Sequence, residues 1–342
     1  MGLIINARFL TQKITGVQRY ALEISRQIIA QRKNVTFVAP DAVLHPHLAA
    51  ELKVQTIGRL KGHLWEQTEL PLYLRNIGNP PLLNLANTAP LFYRRNYVTL
   101  HDLAFLHHAG WNTAAFNNGY RFLIPKIARR AQHVFTVSYT MKEELYRLLS
   151  VPEGKITVTY NGIASSFPPP DASFPKKKML LAVGTFNRRK NHDKLIAAFL
   201  KSNLAQEYTL VIAGDKEKIY KELSLPEEGN NIQIISAPDD RQLVRLYCEA
   251  EAVISLSAYE GFGLPVLEGL YYGGKALCSD IPVYRELFGN YAYFCDISDL
   301  DSIIFSLNEL ASSSYNKEKN TQLLFGKYSY ACAASELLRI LP

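Results

Sequence analysis

At 342 residues, with 48% hydrophobic and 20% charged, the chain is long enough for two ordinary domains, and its composition excludes a disordered or fibrous protein. The formal net charge of +7 is uneven: residues 1–165 carry 19 Lys and Arg against 9 Asp and Glu, and residues 166–342 carry 19 against 22. No apolar run reaches the ~18 residues of a membrane span, and Cys248, Cys278, Cys295 and Cys332 have neither C-x-x-C nor zinc spacing, so reduced structural thiols are expected. The opening Met-Gly-Leu-Ile-Ile-Asn lacks the basic segment and cleavage site of an export signal, which predicts a cytoplasmic protein. The basic first half suits an anionic membrane surface, such as the inner face of the plasma membrane, or a phosphate-bearing molecule. Nucleic acid is not expected, because no binding module accompanies the charge.

Taken in chain order, the apolar runs 3–6, 35–39, 82–85, 97–101, 133–138 and 156–160 are predicted strands, with helical patterns over 16–30, 116–131 and 139–149 between several of them. A break follows at 165–178, where three consecutive prolines (Pro168, Pro169, Pro170) and three lysines (Lys176, Lys177, Lys178) stop both helix and central strand and mark a linker. The alternation restarts with predicted strands over 179–183, 208–213, 232–235, 252–256 and 276–279. This order of strands and helices predicts α/β architecture with parallel sheets in two domains, 1–165 and 166–325.

The densest chemistry lies in Glu260-Gly261-Phe262-Gly263-Leu264-Pro265-Val266-Leu267-Glu268, between a predicted strand and a helix that Pro265 opens. Amides of Phe262, Gly263 and Leu264 at a helix mouth suit phosphate, whereas Glu260 and Glu268 suit hydroxyl donors, so a ligand with both phosphates and sugars is implied. Gly261 and Gly263 allow close backbone approach. Upstream, the strand that ends at Gly184 leads through Thr185 to Arg189 and Lys190 before another helix. Cations there oppose the helix dipole and are better explained by a bound phosphate. In the first half, Gly16 opens a helix and His101 ends a strand, at the edge where open α/β sheets bind ligands. Asp102 is suited to orienting that imidazole or capping the next turn. His45, His47, His107 and His108 lack an acidic or cysteine cluster and read as surface or loop residues, so no metal site is expected. Phe92, Tyr93, Phe105 and Trp111 are candidates for stacking on a glycan.

The Glu260–Glu268 segment resembles the E-x7-E motif of the retaining glycosyltransferases of family 4. The resemblance extends to Gly184 through Asn191, with its Arg-Lys-Asn phosphate clamp, to Ile14–Tyr20, Leu100–Asp102 and Phe135–Ser138, and to the aromatic-Ser-aromatic stretch Tyr328–Tyr330. It implies a GT-B fold of two Rossmann-like, doubly wound domains facing a central cleft: an acceptor-side domain over 1–165, a nucleotide-sugar domain over 166–325, and a last helix in 326–342 crossing back to the first. Many members carry an arginine directly after the strand glycine, where this chain has Thr185, so that one phosphate contact is either missing here or replaced by Arg188. By the same resemblance Arg189 and Lys190 meet the pyrophosphate, Glu268 the ribose hydroxyls, Glu260 the donor sugar, and His101 the reacting centre, while Gly16 approaches donor phosphate or acceptor. The implied reaction moves a hexose from a nucleoside-diphosphate sugar, GDP-mannose first, to a hydroxyl of a lipid-linked or surface-polysaccharide glycan, with no cofactor or metal. UDP-hexose or dTDP-rhamnose transfer, or a non-catalytic sugar-nucleotide-binding subunit, are the rival readings.

Overall fold

The computed structural model describes residues 2–111, 114–171, 173–214, 231–313 and 318–342, which form two units: Met1–Ala164 with Tyr328–Pro342, and Ser165–Lys327. The first contains a seven-stranded sheet from β1 (Leu3–Asn6), β2 (Val35–Ala39), β3 (Gln55–Thr56), β4 (Leu82–Asn84), β5 (Asn96–Leu100), β6 (His133–Thr136) and β7 (Ile156–Val158). All pairings are parallel, in the order β3-β2-β1-β4-β5-β6-β7. β1, β4 and β5 are buried along their whole length, so they do not show the alternation of a half-exposed strand. The chain winds outward from β1 to β3, then returns to β4 on the other side of β1, so the direction of winding reverses between β1 and β4.

The last helix, Tyr330–Ile340, lies against the Gly16–Gln31 helix in this unit. A side chain at Gly162 would come within 2.7 Å of the Tyr330 amide nitrogen, so a glycine there lets the returning segment approach. Tyr160 meets Tyr328, and Tyr20 meets Tyr330, edge to face.

The second unit holds six parallel strands, β8 (Lys177–Val183), β9 (Thr209–Gly214), β10 (Ile232–Ser236), β11 (Ala250–Ser255), β12 (Lys275–Ser279) and β13 (Tyr293–Cys295), ordered β10-β9-β8-β11-β12-β13. Here the winding reverses between β8 and β11. Leu180, Leu210, Ile212, Ile254 and Leu277 carry the core on one face of the sheet with Leu195 and Phe199 of the His192–Lys201 helix.

The expected linker is corrected in two respects. Lys177 and Lys178 belong to β8 and pair with Glu249 and Glu207 at its exposed start. Residues before them are fastened to the second unit: Phe167 is buried beside Tyr247 and Tyr272, and Lys176 Nζ donates to the carbonyls of Tyr247, Ala250 and Tyr272 at 2.7–3.1 Å. Tyr272 Oη also donates to the Pro168 carbonyl at 2.9 Å and Ser166 Oγ to Asp240 Oδ2 at 2.8 Å, so side-chain contacts anchor a segment in which prolines stop regular structure.

Candidate active site

In open α/β sheets ligands bind beyond the carboxyl ends of the strands where the winding reverses. In the second unit that point is the gap between β8 and β11, and the loops after these two strands carry the residues singled out by sequence. They are tied together by backbone: Ala258 N donates to Arg189 O at 2.8 Å, Arg189 Nη1 to Tyr259 O at 2.7 Å, and Asn191 Nδ2 to Leu256 O at 2.7 Å. Asn191 is left-handed (φ 50°), a conformation its short amide tolerates, and it caps the His192–Lys201 helix by position.

Lys190 Nζ lies 2.6 Å from Glu260 Oε1, and Arg189 Nη1 lies 3.3 Å from Oε2. The two cations and the first carboxylate of the E-x7-E segment therefore form one cluster. All three side chains are 10–16% exposed, enough to meet a ligand but dry enough for charge to act strongly. Burial would raise the Glu260 carboxyl, but Arg189 and Lys190 outweigh it and hold its pKa at about 2. Glu260 is thus an obligate acceptor near neutral pH, and the cluster keeps one excess positive charge.

Gly184 follows β8 at φ 153°, and a side chain there would meet Lys190 Cε at 3.0 Å. Glycine leaves room for the lysine to lie along the strand end. Thr185 is exposed, its hydroxyl accepting from Asn187 Nδ2 at 3.0 Å, and Arg188 is exposed beside it. Gly263 caps the Leu264–Tyr271 helix by position at φ 108°, with no side-chain cap, and a side chain there would reach 2.5 Å from the Tyr284 ring. Packing against Tyr284 and the positive φ thus require glycine at this position. Gly261 and Phe262 are buried, and Leu264 is half-buried at the helix start.

Glu268 lies inside that helix, buried, and accepts from Tyr247 Oη at 2.6 Å. Tyr247 stacks on Tyr272 with rings 7° apart, and Lys176 holds the carbonyls of both, so the carboxylate is held by a supported partner. Sequence reading missed Tyr247, which sits in the Asp240–Glu249 helix with no local motif. It also missed His192, the residue after the Arg-Lys-Asn run. This imidazole is buried against Phe186, and among the described residues its ring nitrogens have no side-chain hydrogen-bond partner. Burial and the nearby Lys190 push its pKa down to about 4, with the Thr185 backbone offsetting part of the shift.

In the first unit His101 directly follows β5. Its Nε2 donates to the Leu85 carbonyl at 2.9 Å, since a carbonyl only accepts, and burial lowers its pKa, so the neutral ring keeps Nδ1 as an acceptor. The Tyr20 ring meets it edge-on at 4.7 Å, and Tyr20 Oη is 2.8 Å from Thr159 Oγ1. Asp102 Oδ1 accepts from Ala104 N at 3.1 Å, so it caps the next turn. Gly16 is the exposed first residue of the Gly16–Gln31 helix, whose start is fixed by Thr15 and Gln18. Tyr93 and Phe105 are buried and Trp111 stacks on His108, which leaves Phe92, 71% exposed, as the open ring of that set. Among the described residues, no group of three or more His, Cys, Asp or Glu is placed to hold a metal, and no helix is long and apolar enough to cross a membrane.

Comparison with known proteins agrees with this geometry. Residues 14–167 match the model of Glycosyltransferase Family 4, and residues 166–328 match Glycosyl transferases group 1. The O-antigen chain mannosyltransferase RfbU of Salmonella typhimurium is 29% identical over 259 residues, 70% of this chain and 69% of that protein. O-antigen chain mannosyltransferase B of Escherichia coli is 24% identical over 345 residues, 89% of this chain and 88% of its own. The GDP-mannose:cellobiosyl-diphosphopolyprenol alpha-mannosyltransferase of Komagataeibacter xylinus is 27% identical over 235 residues, 64% and 58% of the two chains. In fold, Anabaena HepE in complex with UDP and glucose superposes with a TM-score of 0.75 at 13% identity, covering 99% of this chain and 98% of that one. A glycosyltransferase from Rickettsia africae gives 0.70 at 14%, covering 99% and 97%. The chain therefore belongs to the family 4, group 1 glycosyltransferases and has their GT-B fold.

Proposed function

We propose that this glycosyltransferase moves mannose from GDP-mannose to a hydroxyl of a lipid-linked surface-polysaccharide glycan, with retention of configuration and without a metal. The observation that carries the reading is the Arg189–Lys190–Glu260 cluster where the second sheet reverses its winding. The mannosyl assignment is supported by the relatives, since RfbU and mannosyltransferase B are O-antigen chain enzymes and the Komagataeibacter protein is named for GDP-mannose.

In this reading the second unit holds the donor. Arg189 and Lys190 meet the diphosphate as the anomeric carbon–oxygen bond breaks and its electron pair moves onto the leaving oxygen, so their charge counts most in the transition state. The excess positive charge left after Glu260 is paired suits that task. Glu260, ionised, accepts from the sugar hydroxyls, and Glu268, steadied by Tyr247, accepts from the ribose. The amides of Phe262 to Leu264 and the backbone at Gly184 and Thr185 complete the phosphate contacts. The first unit takes the acceptor near His101, whose Nδ1 accepts from a hydroxyl. The acceptor oxygen bonds to the anomeric carbon on the face the diphosphate leaves, and its proton passes to the departing phosphate oxygen. The basic first unit would hold the protein at the cytoplasmic face of an anionic membrane, beside a lipid-linked acceptor.

The test is incubation of the protein with radiolabelled GDP-mannose, UDP-hexoses and dTDP-rhamnose, each with lipid-linked glycan acceptors. Label moving from GDP-mannose into the lipid fraction, as an α-linked product, is expected. Transfer from another donor reassigns the sugar, and donor binding with neither transfer nor hydrolysis identifies a binding subunit instead.

A further inference from the structure

His101 is held by more than its own strand. Its backbone N donates to Asn87 Oδ1 at 2.8 Å and its Nε2 to the Leu85 carbonyl at 2.9 Å, so the loop after β4 fixes both its main chain and one ring nitrogen. A further contact comes from Tyr20, on the Gly16–Gln31 helix, whose ring stands at 83° to the imidazole with centroids 4.7 Å apart. Tyr20 is fully buried, and a buried phenol costs free energy unless its hydroxyl is paired. Its partner is Thr159, just past β7, at 2.8 Å. Thr159 Oγ1 in turn donates to the Thr136 carbonyl at 3.3 Å, which leaves its oxygen to accept from Tyr20. Thr136 Oγ1 donates to the Leu100 carbonyl at 2.8 Å, one residue before His101. The hydroxyl chain thus crosses the carboxyl ends of β7, β6 and β5 and returns to the histidine that the Tyr20 ring touches. The same ring meets Tyr330, the buried first residue of the returning helix, with centroids 6.1 Å apart.

Apolar packing alone does not ask for this arrangement, since a phenylalanine fills the same space with no polar group to satisfy. The hydroxyl fixes the tilt of the ring, and with it the wall against which the imidazole lies. Histidine's ring torsion is broad, so an imidazole held by a single hydrogen bond can swing about it. With the wall in place Nε2 stays on the Leu85 carbonyl, and Nδ1 is presented as an acceptor.

We propose that Tyr20 is a positioning residue for His101: anchored by Thr159 and packed on Tyr330 of the returning helix, it holds the imidazole in the one orientation and tautomer that presents Nδ1. The use of Nδ1 toward an acceptor hydroxyl rests on the glycosyl-transfer reading above; the holding of the ring rests on the contacts alone.

The experiment is nitrogen–proton correlation NMR of the histidine rings in the full chain at neutral pH, with His101→Gln assigning the His101 signals, beside steady-state transfer from GDP-mannose to a lipid-linked acceptor. Wild-type His101 should show one neutral tautomer, protonated at Nε2. Tyr20→Leu, which removes the ring, should shift the His101 ring protons, mix the tautomers and lower kcat about tenfold with the donor KM unchanged, the loss expected of a misaligned group. Tyr20→Phe, which keeps the ring and loses its anchor, should move the same signals by less and lower kcat about two- to threefold. Should Tyr20→Leu fail to fold, Tyr20→Phe alone decides. His101 signals unchanged from wild type in every folded variant overturn the proposal even where kcat falls, because that loss is then general loosening. The signals need no substrate, so they keep the two readings apart. If the wild type transfers no sugar, they decide the proposal and only the transfer reading falls; moved signals beside a wild-type kcat defeat the role of Nδ1 in transfer and leave the holding of the ring standing.

Discussion

Lys190 serves two partners in this account. It pairs with Glu260 at 2.6 Å, and in the proposed reading it also meets the donor's diphosphate. Lys190→Ala should lower kcat/KM for the donor by about 1.5–3 kcal/mol, or roughly 10- to 150-fold, as expected for a lost charge-assisted contact; steady-state kinetics with varied donor check this, and an unchanged value removes Lys190 from the site. Glu260 also makes an acid-stability prediction. Its folded pKa is about 2 against an ordinary 4.5, so its contribution is complete above pH 4.5 and lost as pH falls through 2, about 3 kcal/mol in all. Glu260→Gln should abolish transfer and flatten the pH dependence of urea unfolding in that window. His192 works in a higher window. With a folded pKa of about 4 against 6.5, the unfolded chain binds the extra proton, so stability is full above pH 6.5 and falls by about 3 kcal/mol as pH drops to 4. His192→Leu should flatten unfolding between pH 6.5 and 4, and a slope identical to wild type there contradicts the assignment. The sequence singled out Arg189, Lys190 and Glu260, which the structure brings together, because they lie in loops that follow two strands. Tyr247 and His192 were not singled out, because Tyr247 takes its meaning from Glu268, 21 residues away, and His192 takes its own from burial beside Phe186.

The site's precision comes from where strands end and how loops are pinned. Gly214, at the end of β9, shows how tight this is: a side chain there would lie 1.8 Å from the Gly184 carbonyl oxygen, which is backbone and cannot rotate away. Gly214→Ala should therefore cost about 1–3 kcal/mol in urea unfolding, typical of overpacking, and should also weaken donor binding by shifting Gly184. A variant as stable as wild type with full donor affinity would show that the strand end does not position the loop. Long central strands were legible because burial on both faces writes them as continuous apolar runs, and the expected and observed limits agree within two residues for β1, β2, β4, β5, β6 and β7. β3, two exposed residues, and β13, three residues of which two are only half-buried, were missed. The proline-rich stretch read as a linker because composition reports what a segment cannot form, not what it is fastened to.

For the molecule as a whole, the even alternation of strands and helices made the α/β class legible, and the ordered motifs made the family legible. The strand order within each sheet was not, because it depends on which neighbour each strand pairs with. The charge difference between the halves, 19 to 9 against 19 to 22, yields a prediction at this scale: binding to vesicles with anionic lipid that weakens steadily with salt. Co-sedimentation checks it, and binding that is absent or salt-insensitive removes membrane attachment by the basic half. In the proposed function the cationic cluster between β8 and β11 grips a diphosphate. Calorimetric titration of the wild type and Lys190→Ala with GDP, UDP and dTDP, each beside its nucleoside, tests it most directly. One diphosphate should bind the wild type at least tenfold tighter than its nucleoside, and the variant should lose most of this difference; equal affinity for nucleoside and diphosphate, or a variant that keeps the full difference, would rule out a diphosphate grip by this cluster.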